Sequence, residues 1–356
     1  MRIASFLSLA LLMSMFVPLP AAAAPVAAGA AEPSAATSGT KSAAGGTAEG
    51  TITDVDVVLV SGQYSGPGLW KVSKGEHALW ILGTVSPVPK GMDWYSPQAE
   101  SVLVRTQEIV GPPGTGGTVG FGSAFKMAFA MPTILRARRN PDGKSLQDVL
   151  PQELYARWVA LKPLYLGDDQ SVEQWRPFLA AGTLYQGALK RSGLTTGTGV
   201  ENRISEIARK HKIKWTSPSI NIAIKDPKKL AKSLSRADID DVQCFRSVLD
   251  RLELDVANAA ERANAWATGD MATLTRLSNR SNVLPCYEAL ANTEAARSVG
   301  MDDAVERSEA LWLKSAEAAL AVNHTSFAML PVAQLLQPDG LLARLQARGY
   351  DVVVPE

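Results

Sequence analysis

Histidine and cysteine are nearly missing from this sequence: three and two residues among 356. Two cysteines without supporting histidines cannot build a zinc site, which takes about four thiolate or imidazole ligands. A surplus of one charge is missing as well. Thirty-six Lys and Arg face 35 Asp and Glu, for a net charge of +1, and that balance argues against a partner held by bulk electrostatics, whether DNA, RNA or an anionic membrane surface. Apolar runs long enough to span a bilayer are also lacking, because Ile3–Val17 falls short of the roughly 20 residues required. What remains is an ordinary globular composition, 46% hydrophobic and 20% charged, which supports a sizeable core and excludes disorder of the whole.

The amino terminus carries three signals in series. Arg2, the apolar run, the breakers Pro18 and Pro20, and Ala21–Ala24 have the layout of a secretory signal peptide, residues 1–24, with cleavage expected near Ala24; an uncleaved anchor is the alternative. Residues 25–52 are mostly Ala, Gly, Ser and Thr and cannot bury enough apolar area to offset their ordering entropy, so they read as a flexible linker. Residues 53–356 are then a single domain of a periplasmic or secreted protein, with no transmembrane segment after cleavage. In an oxidising compartment Cys244 and Cys286 are expected to form a disulfide, which in the chain-entropy view adds roughly 3–4 kcal/mol of stability. Two buried thiols are the other reading.

Along the body, Asp54–Val60 predicts a strand. Leu69–Ser73 and Ala78–Leu82 flank a turn around Gly75 and predict a hairpin, with His77 in the turn. Ser96-Pro97 predicts a helix start, Ser as N-cap and Pro at the first helical position. The glycines and prolines of 111–122 predict a loop. Within an insertion of about 145–320, Ser145–Lys212 and Asp226 to about Leu320 read as two helical runs, the second broken near Gly269-Asp270, Pro285 and Gly300. Ser326–Val332 reads as a buried strand, Asp339–Arg348 as a helix stopped by Gly349, and Tyr350–Val354 as a last strand. The expected fold class is α/β, with α+β as the variant: a central mixed sheet built from N- and C-terminal strands around a large helical insertion.

Local chemistry is sparse. Gly111-Pro-Pro-Gly-Thr-Gly-Gly-Thr118 approaches a phosphate-binding loop, but Gly117 stands where the lysine is required, so no nucleotide is expected. Gly62-Gln-Tyr-Ser65-Gly66 has the wrong spacing for a nucleophile elbow. His77, His211 and His324 occupy three separate contexts; His211 lies in a basic run, and His324, at the entrance to a strand, has the most plausible site location.

The segment Gly68–Ser86, an aromatic-rich hairpin running into Leu82-Gly83-Thr84-Val85-Ser86, resembles the opening of the TraB/PrgY/GumN/TIKI family, closest to its bacterial GumN-like branch. Trp266-Ala-Thr-Gly269-Asp270-Met-Ala-Thr-Leu274 is similar to the family's Trp-x-x-Gly-Asp-x-x-x-Leu segment. Arg307 with Trp312 is similar to its Arg-Asn helix, with Ser308 where Asn is usual, and Gly340–Val352 resembles its last helix and strand. The resemblance covers about Asp54 to Glu356.

Some members are metal-dependent peptidases that draw ligands from two Gly-x-x-His motifs and an intervening Glu. In this chain the matching positions are Ser86, Gln334 and Gly111, with Glu108 nearby. Neutral oxygen donors bind transition metals weakly, so the resemblance implies the fold without its metal centre and without a cofactor. The expected function is that of a pseudoenzyme binding a peptide, protein or envelope component in the old cleft, with Thr84, Ser86 and Gln334 as hydrogen-bonding groups. The alternative is a peptidase-like hydrolase of altered chemistry, using Glu108, Asp93 or His324 with Ser86, which requires those groups to converge.

Overall fold

The computed structural model describes residues 67–92, 96–118, 123–197, 199–278 and 284–355. The signal peptide, the linker, the Asp54–Val60 strand and Asp93 lie outside them. The chain opens with a hairpin, β1 (Leu69–Lys74) and β2 (His77–Thr84), whose turn residue Gly75 sits at φ 61°, a left-handed conformation that glycine adopts without steric cost. A short β3 (Val88–Pro89) precedes α1 (Pro97–Leu103). Ser96 caps α1 by accepting the Ala99 N–H at 3.2 Å, and Pro97 occupies a position where a missing N–H costs nothing. Strands β4 (Glu108–Val110) and β5 (Gly114–Thr118) follow.

The middle of the chain is helical, with α2 (Ser123–Ala137), α3 (Leu146–Val149), α4 (Gln152–Tyr165) and α5 (Pro177–Arg191). After β6 (Leu194–Thr195) and α6 (Gly199–His211) come two more strands, β7 (Lys214–Thr216) and β8 (Ser219–Ala223). Helices α7 (Pro227–Ser235), α8 (Asp241–Thr268), α9 (Met271–Ser278), α10 (Leu284–Ala291), α11 (Glu294–Arg297) and α12 (Ala304–Val322) complete the insertion. The chain ends with β9 (Thr325–Pro331), α13 (Val332–Leu335), α14 (Leu341–Gln346) and β10 (Asp351–Val353).

The main sheet has the order β10-β1-β2-β9-β4-β7. Strands β2, β9, β4 and β7 run parallel, while β1 pairs antiparallel with both β2 and β10. The α/β class and the joining of first and last segments are therefore observed. Two expectations change. The helical stretch also supplies a strand, β7, to the sheet; Lys214-Trp-Thr216 is too short to display a period of two. The glycine-rich segment is not a loop throughout, because β5 continues past β4 and pairs in parallel with β8. A Cβ on Gly114 would lie 2.9 Å from the Ser219 hydroxyl, so glycine there leaves room for the side chain of the residue it pairs with.

One core lies around the sheet. Leu79, Ile81, Leu82, Ile109 and Phe327 from the strands meet Trp312, Leu313 and Ala316 of α12 and Leu341 and Leu345 of α14. A second core holds the helices together: Leu154 and Trp158 of α4, Leu184 of α5, and Phe245 and Leu249 of α8. Cys244 of α8 and Cys286 of α10 are bridged at its margin, with Cα atoms 4.7 Å apart. Among the described residues no helix is long and apolar enough to cross a membrane.

Cys244→Ser opens this bridge. Removing a native disulfide that closes a segment of this length is expected to cost about 2–5 kcal/mol, read as a lower urea midpoint that matches the wild type in reductant.

Candidate functional site

The sheet has two chemically different ends. At the amino ends of the parallel strands, Glu108 begins β4 and is 8% exposed. Its Oε1 accepts from Thr216 Oγ1 at 2.5 Å and pairs with Lys214 Nζ at 3.0 Å, and its Oε2 accepts from Asn323 Nδ2 at 3.1 Å. Burial alone would raise the Glu108 carboxyl, but these hydrogen bonds and the Lys214 charge outweigh it and hold it below the ordinary value. His324 stacks on His77 with ring centroids 5.2 Å apart, and His77 Nδ1 is 2.8 Å from the Asn323 carbonyl. His77 thus opens β2 in a specific contact instead of standing solvated in a turn.

At the carboxyl ends lie Thr84, the last residue of β2, and Ser86 beyond it, Gly111 after β4, and Gln334 after β9. Strand register sets the separation between the two groups. Leu79, Ser326 and Glu108 share one level, and Thr84 pairs with Pro331. At about 3.3 Å per residue, Ser86 and Gln334 are more than about 15 Å along the strands from Glu108 and His324. The structure therefore places Thr84, Ser86 and Gln334 at one end, away from Glu108 and His324, whereas Gly111 stands only three residues past Glu108 and both contact Thr216.

Within that end the polar groups are engaged by different elements. Ser86 is exposed and its hydroxyl donates to the Thr196 carbonyl at 3.3 Å. The Gln334 amide donates to Glu309 Oε1 at 3.2 Å, and Glu309 also pairs with Arg344 at 3.1 Å. The Gly111 N–H donates to the Thr216 carbonyl at 2.9 Å. The metal implied by the resemblance is not matched by this donor set, a hydroxyl, an amide already spent on a carboxylate, and a residue without a side chain. Among the described residues no three His, Cys, Asp or Glu are grouped to hold an ion.

Helix α8 fixes this end. Trp266 Nε1 donates to the Gly83 carbonyl at 2.6 Å, and a Cβ on Gly83 would come within 2.5 Å of Trp70 and 2.7 Å of Val332. Three residues on, Gly269 at φ 74° ends α8 in the left-handed conformation. Asp270 then starts α9 by accepting the Thr273 N–H at 3.0 Å, and Leu274 is buried. The Trp-x-x-Gly-Asp-x-x-x-Leu spacing is thereby explained as anchor, stop, cap and core contact.

One turn earlier, Arg262 donates to the Pro87 carbonyl at 3.0 Å and to Asp255 at 3.1 Å. Asp255 also accepts from Arg251 at 2.7 Å and Tyr185 at 2.6 Å. Burial, then the Asp255 charge, pushes the Tyr185 phenol up, so it remains a neutral donor. None of these supports was singled out from sequence, because a buried Asp–Arg pair within a helix looks like any exposed i, i+7 pair until tertiary burial is known.

The corner so held borders a cavity of about 240 Å³, lined mainly by Val85, Val88, Met92, Thr195, Val200 and Trp266, with glycine backbone at 91, 197 and 199. It lies beside the carboxyl end of β2, the side of an open α/β sheet where ligands bind. Its walls are apolar, and its size suits a single side chain more than the 300–1,000 Å³ of drug-sized ligands.

Trp266→Phe removes the donor to a buried carbonyl and should cost about 1–3 kcal/mol, measured by chemical denaturation. Glu108→Gln tests the other end. Since the folded-state carboxyl lies below its unfolded value, its contribution is complete above about pH 4.3 and is lost as pH falls through the folded value. The variant should show a shallower loss of stability between neutral and acid pH than the wild type.

Comparison with known proteins agrees with this frame. The sequence profile of the TraB/PrgY/gumN family matches residues 68–354. No curated protein and no solved structure matches the chain.

Proposed function

We propose, from the premise that the chain belongs to the TraB/PrgY/gumN family, that it is an exported binding protein without metallopeptidase chemistry. In this reading it seats an apolar group of a peptide, protein or envelope component in the cavity beside β2. The observation that carries the reading is the pairing of two features: uncharged, already engaged groups at 86, 111 and 334, and a mainly apolar cavity lined by Val85 and Val88 on either side of Ser86. Apolar walls favour a desolvated aliphatic or aromatic group. Thr195 and the backbone of 199 in the cavity wall, with exposed Ser86 beside Val85, are the polar groups at hand to orient a peptide backbone.

Export is supported by the Cys244–Cys286 bridge, since disulfides persist in oxidising compartments and are rare in reducing ones. It is further supported by the signal-like residues 1–24. A peptidase built from Ser86 with Glu108 or His324 finds no support in the strand register, which holds them at opposite ends.

The protein purified from its own compartment is expected to contain transition metal well below one equivalent and to leave casein and peptide libraries intact. Peptides selected from a random display library should carry a shared apolar residue, and Gly199→Leu, which fills the cavity, should weaken them at least about tenfold. Stoichiometric metal together with peptide hydrolysis would overturn the proposal.

A further inference from the structure

Three residues of the cavity wall, Val85, Val88 and Pro89, come from one short segment after β2. The only strand in that segment, β3, is two residues long and pairs with β6 through Val88–Thr195 and Pro89–Leu194. A ladder so short supplies little rigidity of its own. The Pro87 carbonyl, between Ser86 and Val88, is instead gripped from α8 by Arg262 Nη2 at 3.0 Å. Among the described residues no other side chain donates to a carbonyl of 85–89.

Arg262 is a costly group to bury. It is 5% exposed, and its Nε lies buried without a hydrogen-bond partner among the described residues. Its Nη1 donates to Asp255 at 3.1 Å, and Asp255, 2% exposed, also accepts from Arg251 at 2.7 Å and from Tyr185 of α5 at 2.6 Å. Two guanidiniums thus share one carboxylate, and buried ionic sets of this kind are weak sources of stability compared with apolar side chains of similar volume. The docking of α8 has other supports. Trp266, one turn on, ties the helix to the Gly83 carbonyl, and Ala259 packs with Leu189 of α5 and Leu194 of β6. Without Arg262, Asp255 still keeps Arg251 and Tyr185. What Arg262 alone supplies is the hold on Pro87.

We propose that Arg262 is a positioning residue for the cavity: it fixes the Pro87 carbonyl and thereby Val85, Val88 and Pro89 in the wall, while Asp255, with Arg251 and Tyr185 behind it, fixes Arg262. A guanidinium suits the task because its planar fork presents donors to two acceptors at once, here a carbonyl and a carboxylate. That role rests on the function proposed above, in which the cavity seats an apolar group, and it places control of recognition in the helical insertion. A wall fixed before the ligand arrives spares the complex the cost of ordering it.

The test uses the full chain with Arg262→Met, Arg262→Lys and Tyr185→Phe, and with Cys244→Ser as a variant destabilised elsewhere on α8. Circular dichroism and urea midpoints establish folding. Without any ligand, hydrogen exchange followed by mass spectrometry should show the amides of 85–92 exchanging at least about tenfold faster in Arg262→Met, with β2, β9 and the second core little changed. Peptides selected on the wild type should bind Arg262→Met at least about tenfold more weakly, Arg262→Lys in between, and Cys244→Ser as well as wild type. Should Arg262→Met fail to fold, Arg262→Lys and Tyr185→Phe are expected to show the same two effects in smaller measure. Unchanged exchange at 85–92 would overturn the proposal whatever the ligand, as would unchanged peptide affinity. Uniform loosening of the whole fold, matching Cys244→Ser, would reduce Arg262 to a structural residue and sink the positioning role. Failure of the wild type to select peptides with a shared apolar residue would instead remove the cavity reading, and this role with it.

Discussion

The carbonyl of Gly83 is where the sheet and the helices are joined. The Trp266 indole holds it from α8, while Trp70 and Val332 close over the space a side chain would need. Those contacts tie the first hairpin, the turn after β9 and the longest helix to one point. The cavity wall at Val85 and Val88, the position of Ser86 and the Arg262 contact with Pro87 all follow within a few residues of it. A backbone hydrogen bond in such a place is costly to lose because a buried carbonyl has no water to replace its donor.

Strand direction divides the ionisable groups from the uncharged ones. Glu108, Lys214, His77 and His324 cluster where the parallel strands begin, and there the carboxylate is saturated by three partners. A group so satisfied stabilises the start of β4 but has little freedom to exchange protons with a ligand. The opposite end, where open α/β sheets receive ligands, has neutral groups and an apolar hollow. Within the proposed function, recognition there depends on shape and desolvation more than on charge.

Charge gathers instead at a distance from the sheet. Averaged over the chain it nearly vanishes, yet the α2–α7 pair is strongly basic on its solvent faces. Net charge is a sum and carries no position. Helix α2, rich in Ala, Met, Phe and Leu, is buried on a single stripe.

Much of the fold was legible because its signals are local. Ser96-Pro97 as a helix start, Gly75 as a turn, Gly349 as a helix stop and the apolar run at Ser326 depend on neighbouring residues alone; strands at both ends of a helical stretch made the class readable, and the motifs at Gly83, Trp266 and Gly340 the family. The sequence by itself also determined that Ser86, Gly111 and Gln334 are poor metal donors, since donor chemistry belongs to the residue type. Tertiary structure alone decided where those residues stand relative to Glu108 and His324, that Gln334 is spent on Glu309, that 114–118 pairs as a strand, and that the α2 face meets solvent. Each of these rests on contacts between segments far apart in the chain, set by which strand lies beside which, and no local pattern encodes that order.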